Sequence, residues 1–103
     1  MAFNGSEGGP IPLDKASAWT ANYRKRNANE VKAHYFGKDI INKILGQNGC
    51  VGIRMYYALN DGGEKQLVLV GVDAEENDLF RGVIADLSFA CPPSCPDRSP
   101  LGE

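Results

Sequence analysis

Hydrophobic and polar positions alternate from Val51 to Leu59. Val51, Ile53, Met55, Tyr57 and Leu59 fall on one side, and Gly52, Arg54, Tyr56 and Ala58 on the other, the period-two pattern of a half-buried strand. Asn60-Asp61-Gly62-Gly63 follows with residues that tolerate positive φ in a tight turn, and Gln66 to Val72 is again dense in β-branched and aliphatic side chains. The stretch from Cys50 to Asp73 therefore predicts a β-hairpin. With Asp61-Gly62 at the centre of the turn, Val51 pairs with Val72, Ile53 with Val70 and Met55 with Val68 on one face. On the other face Gly52 then meets Gly71, Arg54 meets Leu69 and Tyr56 meets Leu67. Moving the turn to Gly62-Gly63 shifts the partners and keeps each face intact. Two facing glycines leave bare backbone, and Leu67 and Leu69 make this second face one that wants cover.

Helical spacing precedes the hairpin. Leu13, Ala16, Thr20 and Tyr23 share one face, widened by Trp19, with Asp14 placed to cap the start and Arg24-Lys25-Arg26 in the last turn. Ile40, Ile41, Ile44 and Leu45 form a second apolar edge, with Asp39 as its cap and Gly46 or Gly49 as its end. This second helix is expected to dock on the odd-numbered face of the hairpin. Between the two, Glu30 to Phe36 reads as a short helix or an irregular connection.

After the hairpin, Ala74 to Asp78 is an acidic loop, and Phe80 followed by Val83 to Phe89 reads as a third strand. The last 13 residues hold four of the six prolines, which bars regular helix or central strand there. The expected fold is α+β: two N-terminal helices on one face of a three-stranded antiparallel meander. Residues 1–9 are expected to be a flexible, Gly/Ser-rich start, 10–90 a single domain and 91–103 an extended surface tail.

Composition narrows the function classes. A chain of 103 residues with 43% hydrophobic and 23% charged residues has the make-up of one globular domain. Residues 1–50 carry a net charge of +3 and residues 51–103 a net of −5, giving −2 overall, which supplies no basic stripe for nucleic acid. No apolar run approaches a membrane span, and the N-terminal residues lack the features of a secretory signal. Three cysteines are an odd number, unlike a fully paired secreted framework. A cytoplasmic location is the expectation that follows.

Four groups of residues could carry chemistry. Arg54 with Tyr56, beside the Gly52 gap and facing Leu69 and Gly71, forms a candidate ligand- or partner-binding face, because a guanidinium fork can grip a carboxylate or phosphate where bare backbone lets it approach. The competing reading has Arg54 lying over Leu69 or pairing with a carboxylate such as Asp86. Cys91 and Cys95, with His34 and Cys50, form a candidate zinc or redox set, since thiolate and imidazole suit zinc. One cysteine pair spaced by three and stiffened by prolines departs from the usual zinc pattern, and free thiols are the favoured state, with a reversible Cys91–Cys95 disulfide as the alternative. Cys50 and His34 have no evident third residue to complete a catalytic set. Asp73, Glu75, Glu76, Asn77 and Asp78 match a calcium loop in composition alone. No phosphate loop, dinucleotide fingerprint, serine elbow or zinc-protease pattern occurs.

WTANYR at Trp19–Arg24, GCVGIRMYYAL at Gly49–Leu59, LVLVGVD at Leu67–Asp73 and CPPSC at Cys91–Cys95 together resemble a group of small, uncharacterised proteins of Bacteroidetes-type bacteria. The resemblance runs from about Ile11 to Cys95. It implies a bacterial origin and a free-standing domain, and it brings no cofactor or site residues with it. The function expected is a small non-enzymatic binding module acting through the Arg54/Tyr56 face, with a homodimer or another protein as partner. A metal or thiol-redox protein built on Cys91 and Cys95 is the alternative.

Overall fold

The computed structural model describes residues 2–102. Two helices and two antiparallel sheets make it an α+β protein: α1 (Leu13–Arg26), β1 (Ala33–Tyr35), α2 (Lys38–Leu45), β2 (Cys50–Leu59), β3 (Lys65–Asp73), β4 (Ile84–Ala85) and β5 (Phe89–Cys91). The described residues gather into two compact units. One comprises Phe36–Ser88 with the N-terminal segment up to Glu7; the other comprises Gly8–Tyr35 with the segment from Phe89 onward. Among the described residues no helix is long and apolar enough to cross a membrane.

The first unit is built on the hairpin. β2, β3 and β4 lie side by side in that order, antiparallel throughout. The turn differs from the expected two-residue one. Gly63 donates to the Asn60 carbonyl at 2.9 Å, Asn60 donates to the Glu64 carbonyl at 3.0 Å, and Gly63 takes φ +81. This is a three-residue loop closed by a glycine in the left-handed region. Asn60 Oδ1 accepts from the amides of Gly62 and Glu64 at 3.0 and 2.9 Å and fastens the loop.

Three loop residues instead of two slip the register by one. Ile53 pairs with Gly71, Arg54 with Val70, Met55 with Leu69 and Tyr56 with Val68, and the ladder regains step at Cys50 through a bulge at Val51. A slip by one turns every side chain of one strand to the other face. Leu67, Leu69 and Gly71 therefore share a face with Ile53, Met55 and Tyr57, not with Arg54 and Tyr56 as expected.

On that face α2 docks its isoleucine edge. Ile44, Leu69 and Ala85 are the buried centre, with Phe36, Ile40, Ile41, Cys50, Ile53, Leu67 and Val83 packed around them. Helix α2 ends where expected, at Gly46, whose amide bonds to the Asn42 carbonyl at 2.8 Å. Its N-cap is Gly37, and Asp39 sits inside the first turn. Eight helical residues reach roughly 12 Å, while the ten of β2 reach roughly 33 Å. The helix thus covers the Cys50–Ile53 end and leaves the turn end of the hairpin bare.

The second unit corrects two further expectations. Ala33–Tyr35 is a strand, paired Ala33 to Cys91, His34 to Ala90 and Tyr35 to Phe89. The single run expected over Val83–Phe89 is therefore split: Ile84–Ala85 joins β3 in one sheet and Phe89–Cys91 joins β1 in another. Leu87, between them, has φ +62, where an extended ladder cannot continue. α1 has Pro12 at its N-cap with Asp14 inside the first turn, carries Arg24, Lys25 and Arg26 in its last turn as expected, and contains no buried residue. The C-terminal segment is tied to this unit: Arg24 Nη1 donates to the Leu101 carbonyl at 2.5 Å and Lys32 Nζ to the Gly102 carbonyl at 3.0 Å.

Candidate functional site

β2 lies at the edge of its sheet, so one side of its backbone pairs with β3 and, among the described residues, the other has no strand beside it. In an antiparallel ladder the residues alternate between these sides. Because Asn60 is bonded to Glu64, the even-numbered residues from Gly52 to Ala58, beyond the bulge, point their N–H and C=O groups at β3. The groups of Ile53, Met55, Tyr57 and Leu59 point to the open edge. The same odd residues carry the apolar side chains beyond the reach of α2: Met55 is 57% exposed, Tyr57 95% and Leu59 68%. Open backbone and bare apolar side chains therefore coincide over Met55–Leu59.

Arg54 and Tyr56 sit on the opposite face, and Asp78 holds both. Arg54 Nη1 lies 2.5 Å from Asp78 Oδ1 and donates to the Glu76 carbonyl at 3.3 Å. The Tyr56 hydroxyl donates to Asp78 Oδ2. Asp78 is reached across β3, where it bridges to Val72, so the two side chains cross the face that carries Val70 and Val72. Both valines are buried. The Tyr56 hydroxyl and then the Arg54 guanidinium hold the Asp78 carboxyl below its ordinary value, against partial desolvation. The bond to the Asp78 carboxylate pushes the Tyr56 phenol up. Arg54 is thus engaged within the fold, as the competing reading has it, with Asp78 as the carboxylate where Asp86 was the example.

The N-terminal segment supplies further cover. Phe3 donates its amide to the Ala74 carbonyl at 2.8 Å, and Glu7 accepts from the amides of Asn4 and Gly5 at 3.1 and 3.0 Å. These bonds, Asn4 first, hold the Glu7 carboxyl low. Phe3, Gly5 and Glu7 with the Val51–Met55 stretch of β2 enclose an open cleft of about 480 Å³ that includes Gly52 and Arg54.

The other expected members of the binding face lie elsewhere. Leu69 is fully buried in the core. A Cβ on Gly71 would come within 2.9 Å of Cys50 Sγ and Gln47 Nε2 and 3.3 Å of Ile44 Cγ2, so Gly71 is bare to admit α2, and no ligand reaches its backbone. Gln47 was missed by sequence reasoning. Its amide donates to the Ile44 carbonyl at 2.9 Å and accepts from the Val83 amide at 2.8 Å, joining the end of α2 to the residue that leads into β4. A lone glutamine near a helix end carries no pattern that announces this.

Cys91 and Cys95 are joined in a disulfide, with Cα atoms 4.8 Å apart, which overturns the favoured reading of two free thiols. Two of the four candidate zinc ligands are thereby bonded to each other, and no cluster of three or more His, Cys, Asp or Glu able to hold a metal occurs among the described residues. His34 belongs to the unit that holds the disulfide and Cys50 to the other. Cys50 is a free thiol, half-buried, donating to the Gly52 carbonyl at 3.2 Å. In the acidic loop, Asp73 Oδ1 accepts from the amides of Glu75 and Asn77 at 2.9 and 3.0 Å, which together with the engagement of Asp78 folds that loop onto itself.

No protein-family model, curated protein or solved structure matches the chain.

Proposed function

We propose that the protein is a small non-enzymatic binding module that takes an extended polypeptide strand along the outer edge of β2, with a second copy of the chain as its partner. The three-stranded meander serves as scaffold, and the turn end of the hairpin is the docking surface. One observation carries the reading: the unpaired backbone groups and the exposed side chains of Met55, Tyr57 and Leu59 occupy the same stretch. A strand with an open, apolar edge is a template for another strand.

A second copy satisfies the geometry of this edge. Two antiparallel copies of β2 related by a two-fold axis pair outward-facing residues with outward-facing residues, and a centre at the exposed Tyr57 meets that condition. Centring on Tyr57 sets Met55 against the second copy's Leu59 in both halves and Ile53 against the second copy's Asp61. It also leaves the Val51 end, where Phe3–Glu7 lies, undisturbed. Since the shared stretch is short, the association is weak and depends on concentration.

Tyr57 is 95% exposed, so Tyr57→Lys tests the edge without loading the core. Sedimentation equilibrium is expected to show a monomer–dimer equilibrium for the parent chain and monomer alone for Tyr57→Lys, with equal thermal stability at low concentration. Identical association of the two chains contradicts the proposal. Arg54→Ala and Tyr56→Ala separate this edge from the opposite face, since they loosen the Asp78 anchor and leave the edge in place.

A further inference from the structure

The disulfide of the second unit is asymmetric. Cys91 is 6% exposed, the only buried hydrophobic residue of that unit among those described, while Cys95 lies at the surface. Beside it is an open depression of about 490 Å³, lined by Tyr35, Phe89, Pro96 and both cysteines. Tyr35 and Phe89 are cross-strand partners on β1 and β5, and both are about two-thirds exposed. Alternation along each strand puts them on the same face as Ala33 and Cys91. An apolar platform and an accessible sulfur thus adjoin.

The bond is not what holds this corner together. Cys91 is anchored through its backbone, its carbonyl accepting from the Lys32 amide at 2.7 Å, and the loop is closed by Ser94 donating to the Ala90 carbonyl at 2.8 Å. A cross-link between residues four apart removes little chain entropy compared with one closing a long loop. Reduction therefore leaves the two sulfurs facing each other, which is the condition for a pair that opens and closes.

We infer that the Cys91–Cys95 disulfide is a thiol-exchange site whose substrate is a cysteine pair in an apolar polypeptide segment seated against Tyr35 and Phe89. The substrate's first thiolate attacks Cys95 Sγ, because Cys95 lies at the surface and Cys91 is buried. A bond forms between the substrate sulfur and Cys95. The Cys91–Cys95 bond breaks, its electron pair leaves on Cys91 Sγ, and the Cys91 thiolate takes a proton from water. The substrate's second thiolate then attacks the substrate sulfur of the mixed disulfide and expels Cys95 as thiolate. The substrate ends oxidised to a disulfide, and the chain ends reduced to two thiols. This inference is independent of the β2 edge.

The test uses the full chain in native buffer. Two synthetic peptides are compared, each with two cysteines, one flanked by leucine and phenylalanine and the other by glutamate and serine, and thiols are counted by alkylation and mass spectrometry. The apolar peptide is expected to reduce the disulfide at least tenfold faster, and Phe89→Ser is expected to remove that preference while dithiothreitol still reduces the variant at the parent rate. In Cys91→Ser the Cys95 thiol should form a mixed disulfide with oxidised glutathione at least tenfold faster than the Cys91 thiol does in Cys95→Ser. Equal rates for the two peptides, equal rates for the two single-cysteine variants, or reduction only after addition of urea each overturn the inference. Amide exchange of β1 and β5 in both cysteine variants confirms that the strands are still paired when the rates are read.

Discussion

At the scale of single residues, Gln47 is the side chain on which the first unit turns. Its amide fills the space that Gly71 and Gly82 leave open, and a Cβ on Gly82 would overlap Gln47 Oε1. Gln47→Ala strands the part-buried Val83 amide and is expected to destabilise by about 1 kcal/mol. Gly82→Ala should cost about 1–3 kcal/mol by overpacking, and much less in the Gln47→Ala background, where the obstruction is gone. A double-mutant cycle by urea denaturation checks this coupling, and strictly additive values would contradict it. The Asp78 anchor makes a different prediction. Because the folded fold holds this carboxyl below its ordinary 3.8, the anchor stabilises fully above the unfolded value and is lost as pH falls through the lowered one. Tyr56, raised above its ordinary 10.0, contributes below that value and loses its contribution as pH rises through the raised one. The difference in Tm between the parent chain and Asp78→Asn should therefore be level through neutral pH and shrink below about pH 4; a difference that persists there contradicts the anchor. The sequence marked Arg54 and Tyr56 as residues with something to bind. It could not name Asp78, because the partner lies 24 residues from Arg54 and is chosen by how β3 and the loop after it fold back.

At the scale of elements, periodicity carried the hairpin and α2, and both are in the structure. What periodicity cannot count is the number of residues in a turn. One residue more in the loop left both strands in place and moved Leu69 and Gly71 from the Arg54 face to the core, so the strongest secondary-structure signal carried a wrong list of neighbours. The turn depends on Gly63 at φ +81, and Gly63→Ala is expected to cost about 1–2 kcal/mol, read as a lowered Tm; no loss would contradict the three-residue loop. β1, β4 and β5 are two or three residues long, too short for any repeat to show. The split of the Val83–Phe89 run rests on one backbone angle at Leu87. The cysteine spacing left free thiols, a disulfide and a metal site open, and the structure closes that choice because β5 and the turn after it bring the two Cα atoms to 4.8 Å.

At the scale of the whole molecule, the face of the hairpin carrying Arg54 needs cover. Much of that cover comes from within the chain: Arg54 and Tyr56 cross Val70 and Val72 to reach Asp78, and Phe3 is bonded to Ala74 in the same unit. The uncovered surface is instead the turn end of the odd-numbered face, where α2 runs out. That imbalance follows from the length of the helix against the length of the strand, and it is the basis for proposing the β2 edge, in place of the Arg54/Tyr56 face, as the docking surface. Amide hydrogen exchange along β2 at low and high protein concentration tests this most directly. The account predicts that the amides of Met55, Tyr57 and Leu59 exchange faster than those of Arg54, Tyr56 and Ala58 in dilute solution, and that the first three alone gain protection as concentration rises. Protection that alternates the other way, or that does not change with concentration, would contradict it.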